Sequence, residues 1–168
     1  MYWGKRYLVY LAFWVFQMIK VNIVCIGKIK ESFFREAYAE YAKRLSRFCS
    51  LELIELDEFR GDNVEKVKEE ECKKLQKALR GRKIALDLRG EQLDSPSFAK
   101  MLKESVNRGE EISFVIGGSN GLTREFVAGC DKSISFGKLT FPHQLFRVLL
   151  VEQIYRGFMI NADSGYHK

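Results

Sequence analysis

Five short apolar runs, each followed by a stretch of different periodicity, constrain this chain more than any single residue does. Lys20–Ile26 is rich in β-branched residues and stops at Gly27. Residues 51–56 alternate Leu, Glu, Leu, Ile, Glu, Leu, and residues 83–88, 112–116 and 132–136 read as further strands. Between them lie helical patterns. Ser32 is placed to cap a helix carrying Phe34, Tyr38, Tyr41, Leu45 and Phe48 at helical spacing. Residues 64–79 form a charged helix with Val64, Val67, Cys72, Leu75 and Leu79 inward, and Glu69, Glu70 and Glu71 on a solvated face. Ser95-Pro96 opens a helix through Phe98, Met101, Leu102 and Val106 that Arg108-Gly109 stops. Thr123 caps a short helix ending at Ala128. Strands alternating with helices imply an α/β fold with a parallel, doubly wound sheet. Ligands in such sheets sit beyond the carboxyl ends of the strands. The loops 87–91, 117–121 and 137–142 meet that description and form one candidate pocket.

The last helix is unusual. Leu145, Phe146, Val148, Leu149, Leu150, Val151, Ile154 and Tyr155 surround most of its circumference. A helix apolar nearly all round must be covered on more than one side. One small domain covers one face, so the other is expected to meet a second copy across residues 142–157. Pro142 suits the first turn, where its missing N–H has no partner anyway, with Thr140 or Phe141 as the cap.

A length of 168 residues suits one domain with a true core, and a net charge of +6 points to a polyanionic partner. Cys25, Cys49, Cys72 and Cys130 have no Cys-x-x-Cys spacing, which argues against zinc and for reduced, buried thiols in the cytoplasm. Residues 1–17 stand apart: Lys5-Arg6 precede an apolar run from Tyr7 to Phe16, too short to span a membrane. Met18 offers a start for the domain at 18–168, leaving 1–17 to an upstream start choice. An added terminal helix and a membrane or secretion signal are the other readings.

Gly117-Gly118-Ser119-Asn120-Gly121 lets a ligand lie against the backbone. It is neither Gly-x-Gly-x-x-Gly nor a P-loop, so a phosphate cradle is disfavoured; a tight strand-to-helix turn is the structural alternative. The two histidines, His143 and His167, make no Ser-His-Asp or Cys-His arrangement in sequence. The aromatic stripe at 34–48, with Arg35, Lys43, Arg44 and Arg47 among it, reads first as core packing beside a solvated face.

Three segments carry a resemblance. Phe114-Val-Ile-Gly-Gly-Ser-Asn-Gly-Leu122 is followed by Leu139-Thr-Phe-Pro-His-Gln-Leu-Phe-Arg-Val-Leu-Leu-Val-Glu-Gln-Ile-Tyr-Arg156. Asn161-Ala162 and a terminal Tyr166-His167-Lys168 complete the set. In order and spacing they resemble the SPOUT-class methyltransferases of the RlmH type, which modify N3 of pseudouridine in 23S ribosomal RNA. The resemblance covers residues 18–168. Where the family often has Pro-Glu, Ser119-Asn120 stand here, and residues 1–17 have no counterpart.

The resemblance implies a C-terminal trefoil knot, against the usual rule of unknotted chains, a homodimer, and S-adenosylmethionine as cofactor. Its binding positions correspond to Leu86, Gly118 and the run Gly137, Lys138, Leu139, Thr140, Phe141 and Pro142. A side chain at Gly118 would then occupy ligand space. The implied reaction moves a methyl group to a ring nitrogen that must lose its proton, so a base or a nearby cation helps. His167 is the candidate base. Arg147, Arg156 and Lys168 are candidate cations, and Tyr166 is placed to stack on the target base or to anchor the tail. No metal and no membrane are implied. The alternatives are a non-catalytic ribosome- or RNA-binding module and a protein tethered through residues 1–17.

Overall fold

A computed structural model describes residues 18–166. The extension over residues 1–17, and the candidate site residues His167 and Lys168, lie outside the described residues. The chain runs β1 (Lys20–Ile26), α1 (Ser32–Leu45), β2 (Ser50–Leu56), α2 (Val64–Ala78), β3 (Arg82–Gln92), α3 (Ser95–Arg108), β4 (Ile112–Ile116), α4 (Arg124–Ala128), β5 (Lys132–Ser135) and α5 (His143–Asn161). The strands form one sheet in the order β2-β1-β4-β3-β5, and every neighbouring pair is parallel.

Both faces of the sheet are covered, which is why its central strands are apolar without interruption. Alternate residues point to opposite faces. Val21, Ile23, Cys25, Ile84 and Phe114 join a core with Leu45 of α1, Leu102 of α3 and Leu150, Ile154 and Phe158 of α5. Val24, Ile26, Ala85 and Val115 join a second core with Cys72 and Leu75 of α2 and with Leu122.

The helix ends follow local chemistry. Asn63 accepts from the Lys66 amide at 3.0 Å, Asp94 from Ser97 at 2.8 Å and Thr123 from Phe126 at 3.2 Å. Gly109 closes α3 in the left-handed conformation, φ 62°. Ser32 is not a cap; Glu31 precedes α1 without a side-chain bond. Its amide and that of Lys30 instead donate to Gln144 of α5, at 3.0 and 2.6 Å. Pro142 likewise lies at the cap position of α5, one residue before the first turn.

Three expectations change. Strand β3 does not end at Leu88. It bulges and pairs again, so that Leu86 and Glu91 both register against Ile134 of β5. The bulge requires glycine at position 90, because a Cβ there would lie 2.6 Å from the Ile134 backbone. Val64 faces outward, 52 % exposed, and Glu71 faces inward, 4 % exposed. Finally, α5 is covered largely by its own chain. It packs between α1 and α3 against the sheet, burying Leu150, Val151, Ile154, Tyr155 and Phe158. Leu145, Val148 and Leu149 keep partial exposure.

Gly157 is where α3 and α5 approach. A Cβ there would meet Leu102 Cδ1 at 2.6 Å and Phe98 Cδ1 at 3.4 Å. Leu102 is fully buried, so its side chain can yield only by displacing other core atoms. Gly157→Val is therefore expected to lower stability by about 1–3 kcal/mol through overpacking. Urea unfolding midpoints check it; an unchanged midpoint would show that the helices part without cost.

Candidate active site

Beyond the carboxyl ends of β3, β4 and β5 lies a cavity of about 590 Å³, within the size range of small-molecule sites. The three loops meet there. Leu86–Arg89, Ile116–Leu122 and Ile134–Gly137 line it, with Leu139, Thr140 and Phe141, and with His143 and Phe146 from the first turn of α5. Of the positions singled out in sequence, Leu86, Gly118, Gly137, Leu139, Thr140 and Phe141 are in the wall, whereas Lys138 and Pro142 are not. Lys68 of α2 also lines the cavity, an element that the loop-based reading did not include.

The wall is mostly backbone and apolar side chain. Gly121 and Gly137 hold φ of 76° and 126°, and a Cβ on either would meet nothing within 4 Å. Their Cα faces are open, so a ligand can lie close against the backbone there. The Gly121 amide donates to the Gly118 carbonyl at 2.9 Å and tightens the first loop. Ser135 shapes the second: its hydroxyl donates to the Gly137 carbonyl at 2.8 Å and accepts from the Gly137 amide at 3.2 Å. Gly118 differs from the expectation. Its Cβ direction points not into the cavity but at Glu71, whose Oε2 would lie 2.4 Å away. Glu71 Oε1 accepts from the Phe59 amide at 3.1 Å, and Oε2 has no partner among the described residues. The signal for its burial was its place four residues after Val67 and four before Leu75.

Charges in the wall are few. Arg89 grips Asp87 through its amide, Nε and Nη2 at 2.9, 2.9 and 3.0 Å. That hydrogen bonding holds the Asp87 carboxyl below its usual range against the opposing effect of burial. Burial, and then Arg147, hold the His143 imidazole below its ordinary pKa, opposed by Glu58 and Glu71. Three of the cysteines are held as thiols: burial raises Cys25 and Cys130 to about 11 and Cys49 to about 12. Among the described residues no three metal-ligating side chains converge, and no helix is long and apolar enough to cross a membrane.

Arg147 is not a free cation. It is 1 % exposed and donates to Glu55 at 3.0 Å and to the Ile26 carbonyl at 2.7 Å. Arg156 and Tyr166 form a separate cluster. Arg156 pairs with Glu152 at 2.6 Å, lies 4.9 Å from the centre of the Tyr166 ring, and the Tyr166 hydroxyl donates to Glu152 at 3.3 Å. Burial, then Glu152, raises the Tyr166 pKa, so it stays a phenol. The structure does not bring this cluster to the cavity of its own chain. Thirteen helical steps separate His143 from Arg156, about 20 Å along the axis.

A parallel sheet ending in a backbone-lined cavity, with no phosphate motif, defines an α/β enzyme that holds a small organic ligand. A family model described as "Predicted SPOUT methyltransferase" matches residues 19–167. The chain is 48 % identical over 153 residues to the ribosomal RNA large subunit methyltransferase H of Caldicellulosiruptor saccharolyticus, covering 88 % of this chain and 99 % of the relative. It is 42 % identical over 159 residues to that of Clostridium perfringens, covering 89 % and 100 %. Among solved structures, a methylase family protein from Neisseria gonorrhoeae superposes with a TM-score of 0.49 at 14 % identity, covering 82 % of this chain and 81 % of the other. The chain belongs to the SPOUT methyltransferase family.

Two measurements test the site's geometry. Gly118→Ala is expected to cost about 1–3 kcal/mol of stability, and Gly118→Asp more, since it sets a carboxylate against a buried one. In a double-mutant cycle, Glu71→Ala should relieve part of that loss; strict additivity would mean that the two residues do not meet. For His143, the depressed folded pKa means that the unfolded chain takes up its proton at the higher pH. Its contribution to stability is therefore lost as pH falls below about 6.5. His143→Gln should flatten the stability profile on that acid side, read from unfolding midpoints; a variant as acid-sensitive as the parent would contradict it.

Proposed function

We propose that this chain is an S-adenosylmethionine-dependent methyltransferase acting on N3 of a pseudouridine in 23S ribosomal RNA, on the assembled ribosome in the cytoplasm. The observation that carries the reading is the glycine-edged cavity: a site that offers backbone amides and carbonyls and apolar walls but no phosphate cradle suits a nucleoside with an amino-acid arm. Leu86, Ile116, Leu122 and Phe146 supply apolar surface for a purine. The open Cα faces of Gly121 and Gly137 let the ligand lie close against the backbone, whose carbonyls keep a lone pair to accept with. When bound, S-adenosylmethionine supplies an activated methyl group on a sulfonium.

The protein's part is to orient the base and manage one proton. His167 accepts the proton of the ring N–H as that nitrogen becomes nucleophilic. Arg156, held in aim by Glu152, and Lys168 offset the negative charge that develops on the ring. Tyr166 offers an aromatic face to the base. Much of the remaining rate comes from alignment.

The rise of about 15 Å along α5 from Phe146 in the cavity wall to Arg156 supports a homodimer in which one protomer's tail serves the other's cavity. Leu145, Val148 and Leu149 are the surface that would pair. Beside them lies a groove of about 370 Å³ that includes Phe136, Phe141, Leu149 and Gln153. A knotted connection has support of its own. Strand β5 lies at the sheet's edge, yet α5 packs between α1 and α3. Residues 136–142 must therefore return across the sheet, past the loops after β3 and β4.

Single-turnover methylation of ribosomes, paired with calorimetric cofactor titration, tests the reading. Deleting residues 166–168 should abolish transfer and leave cofactor affinity nearly intact. His167→Ala should lose about 10²–10⁴-fold in rate. Full activity without the tail, or equal loss of binding and turnover, overturns this division of roles. Absence of any cofactor binding by the full chain would favour a non-catalytic RNA-binding module.

A further inference from the structure

We propose that the basic end of α1, formed by Lys43, Arg44 and Arg47 around Tyr41, is a docking surface for the phosphate backbone of RNA flanking the modified nucleotide. The inference rests on the reading of this chain as an RNA-modifying enzyme.

The basic residues of α1 are not alike. Arg35 serves the fold: it donates to the carbonyls of Ile29 and Lys30. Lys43, Arg44 and Arg47 do not. All are exposed: Lys43 and Arg44 lie in the last turn of α1, and Arg47 in the turn that follows it. Lys43 and Arg47 pair with no acid among the described residues. Arg44 pairs only with Glu40, at 2.8 Å, with both side chains about half exposed, at 43 % and 52 %. Exposed pairs of this kind contribute little to stability. The helix dipole favours cations at this end, but it does not require aromatic rings beneath them. Here the Arg44 guanidinium carbon lies 5.5 Å from the centre of the Tyr41 ring and 6.0 Å from that of Tyr155.

Those rings lead to the candidate tail. Tyr41 meets Tyr155 at 6.1 Å between centroids, and Tyr155 meets Tyr166 edge-on at 5.0 Å. Tyr166 carries Arg156 over its face. A chain of ring contacts thus runs from Tyr41 to Tyr166 through Tyr155; Tyr155 is buried, while Tyr41 and Tyr166 at its two ends stay partly open beside their arginines. The acids on it, Glu40 and Glu152, are each held by an arginine; Glu36 is one and a half turns back along α1. Alternating cations and ring faces match single-stranded RNA, whose phosphates take the charges and whose bases stack without sequence preference. Arg44 donates only its Nε to Glu40, which leaves its terminal N–H groups for phosphate oxygens.

The test compares the full chain with Lys43→Ala/Arg47→Ala. A labelled single-stranded RNA of arbitrary sequence and purified ribosomes serve as probes, across a range of salt. The expected result is weaker binding to both, by the same factor whatever the sequence. The slope of log affinity against log salt should become shallower by about 1.4, or ~0.7 for each of two lost charges. The KM for ribosomes should rise with kcat and cofactor affinity unchanged. An unchanged slope and KM, with methylation intact, would overturn the docking surface and leave the enzyme reading standing. A wild-type chain that binds RNA with a slope dependent on Lys43 and Arg47 but methylates no ribosome would overturn the enzyme and keep the surface. A fall in kcat or cofactor affinity at equal RNA affinity would assign these residues to the fold instead.

Discussion

One buried guanidinium ties the site-bearing helix to the sheet. Arg147 of α5 donates to the carbonyl that ends β1 and to Glu55 near the end of β2, and the same Glu55 oxygen takes the Ile29 amide at 2.7 Å. Three segments distant in sequence are thereby fixed at one point. Removing one member of such a set leaves a buried charge uncompensated, which costs about 3–5 kcal/mol. The consequence reaches the cavity, because His143 and Phe146 stand in the turn beside Arg147. Where that guanidinium holds α5 is where the cavity's wall stands.

A second buried group acts from the other side. Glu71 lies behind the glycine loop with one oxygen on the Phe59 amide, and the Cβ direction of Gly118 runs into its other oxygen. Gly118 is thus demanded by packing behind the loop, while Gly121 and Gly137 are open toward the cavity in front of it. Glycine has different physical reasons within one wall, and only the second kind concerns a ligand directly.

The chemistry is distributed along α5. Its first turn belongs to the cavity, its buried stripe from Leu150 to Phe158 to the core, and Glu152 and Arg156 on another side of it to the cluster with Tyr166. A rigid helix cannot bring its two ends together, so a reaction that uses both ends draws them from different chains or across a flexible substrate. The over-apolar composition of α5 has a related explanation. Most of it answers to α1, α3 and the sheet, and partly exposed residues such as Leu145, Val148 and Leu149 remain for another surface.

The sequence by itself determined the order and type of the elements, because strand and helix periodicities are local and survive in any tertiary setting. It also determined that the loops after β3, β4 and β5 share one end of a parallel sheet, and the order and spacing of three motifs carried the family resemblance. Tertiary structure alone decided which charges are buried. Glu71 and Arg147 look like solvated residues in a list of neighbours; they are interior because their partners, Phe59 and Glu55, lie 12 and 92 positions away. It decided the continuation of β3 past Leu88, since that pairing needs Ile134. It also decided the separation of Arg156 from the cavity, a distance set by the rise of a helix whose placement depends on packing between α1 and α3.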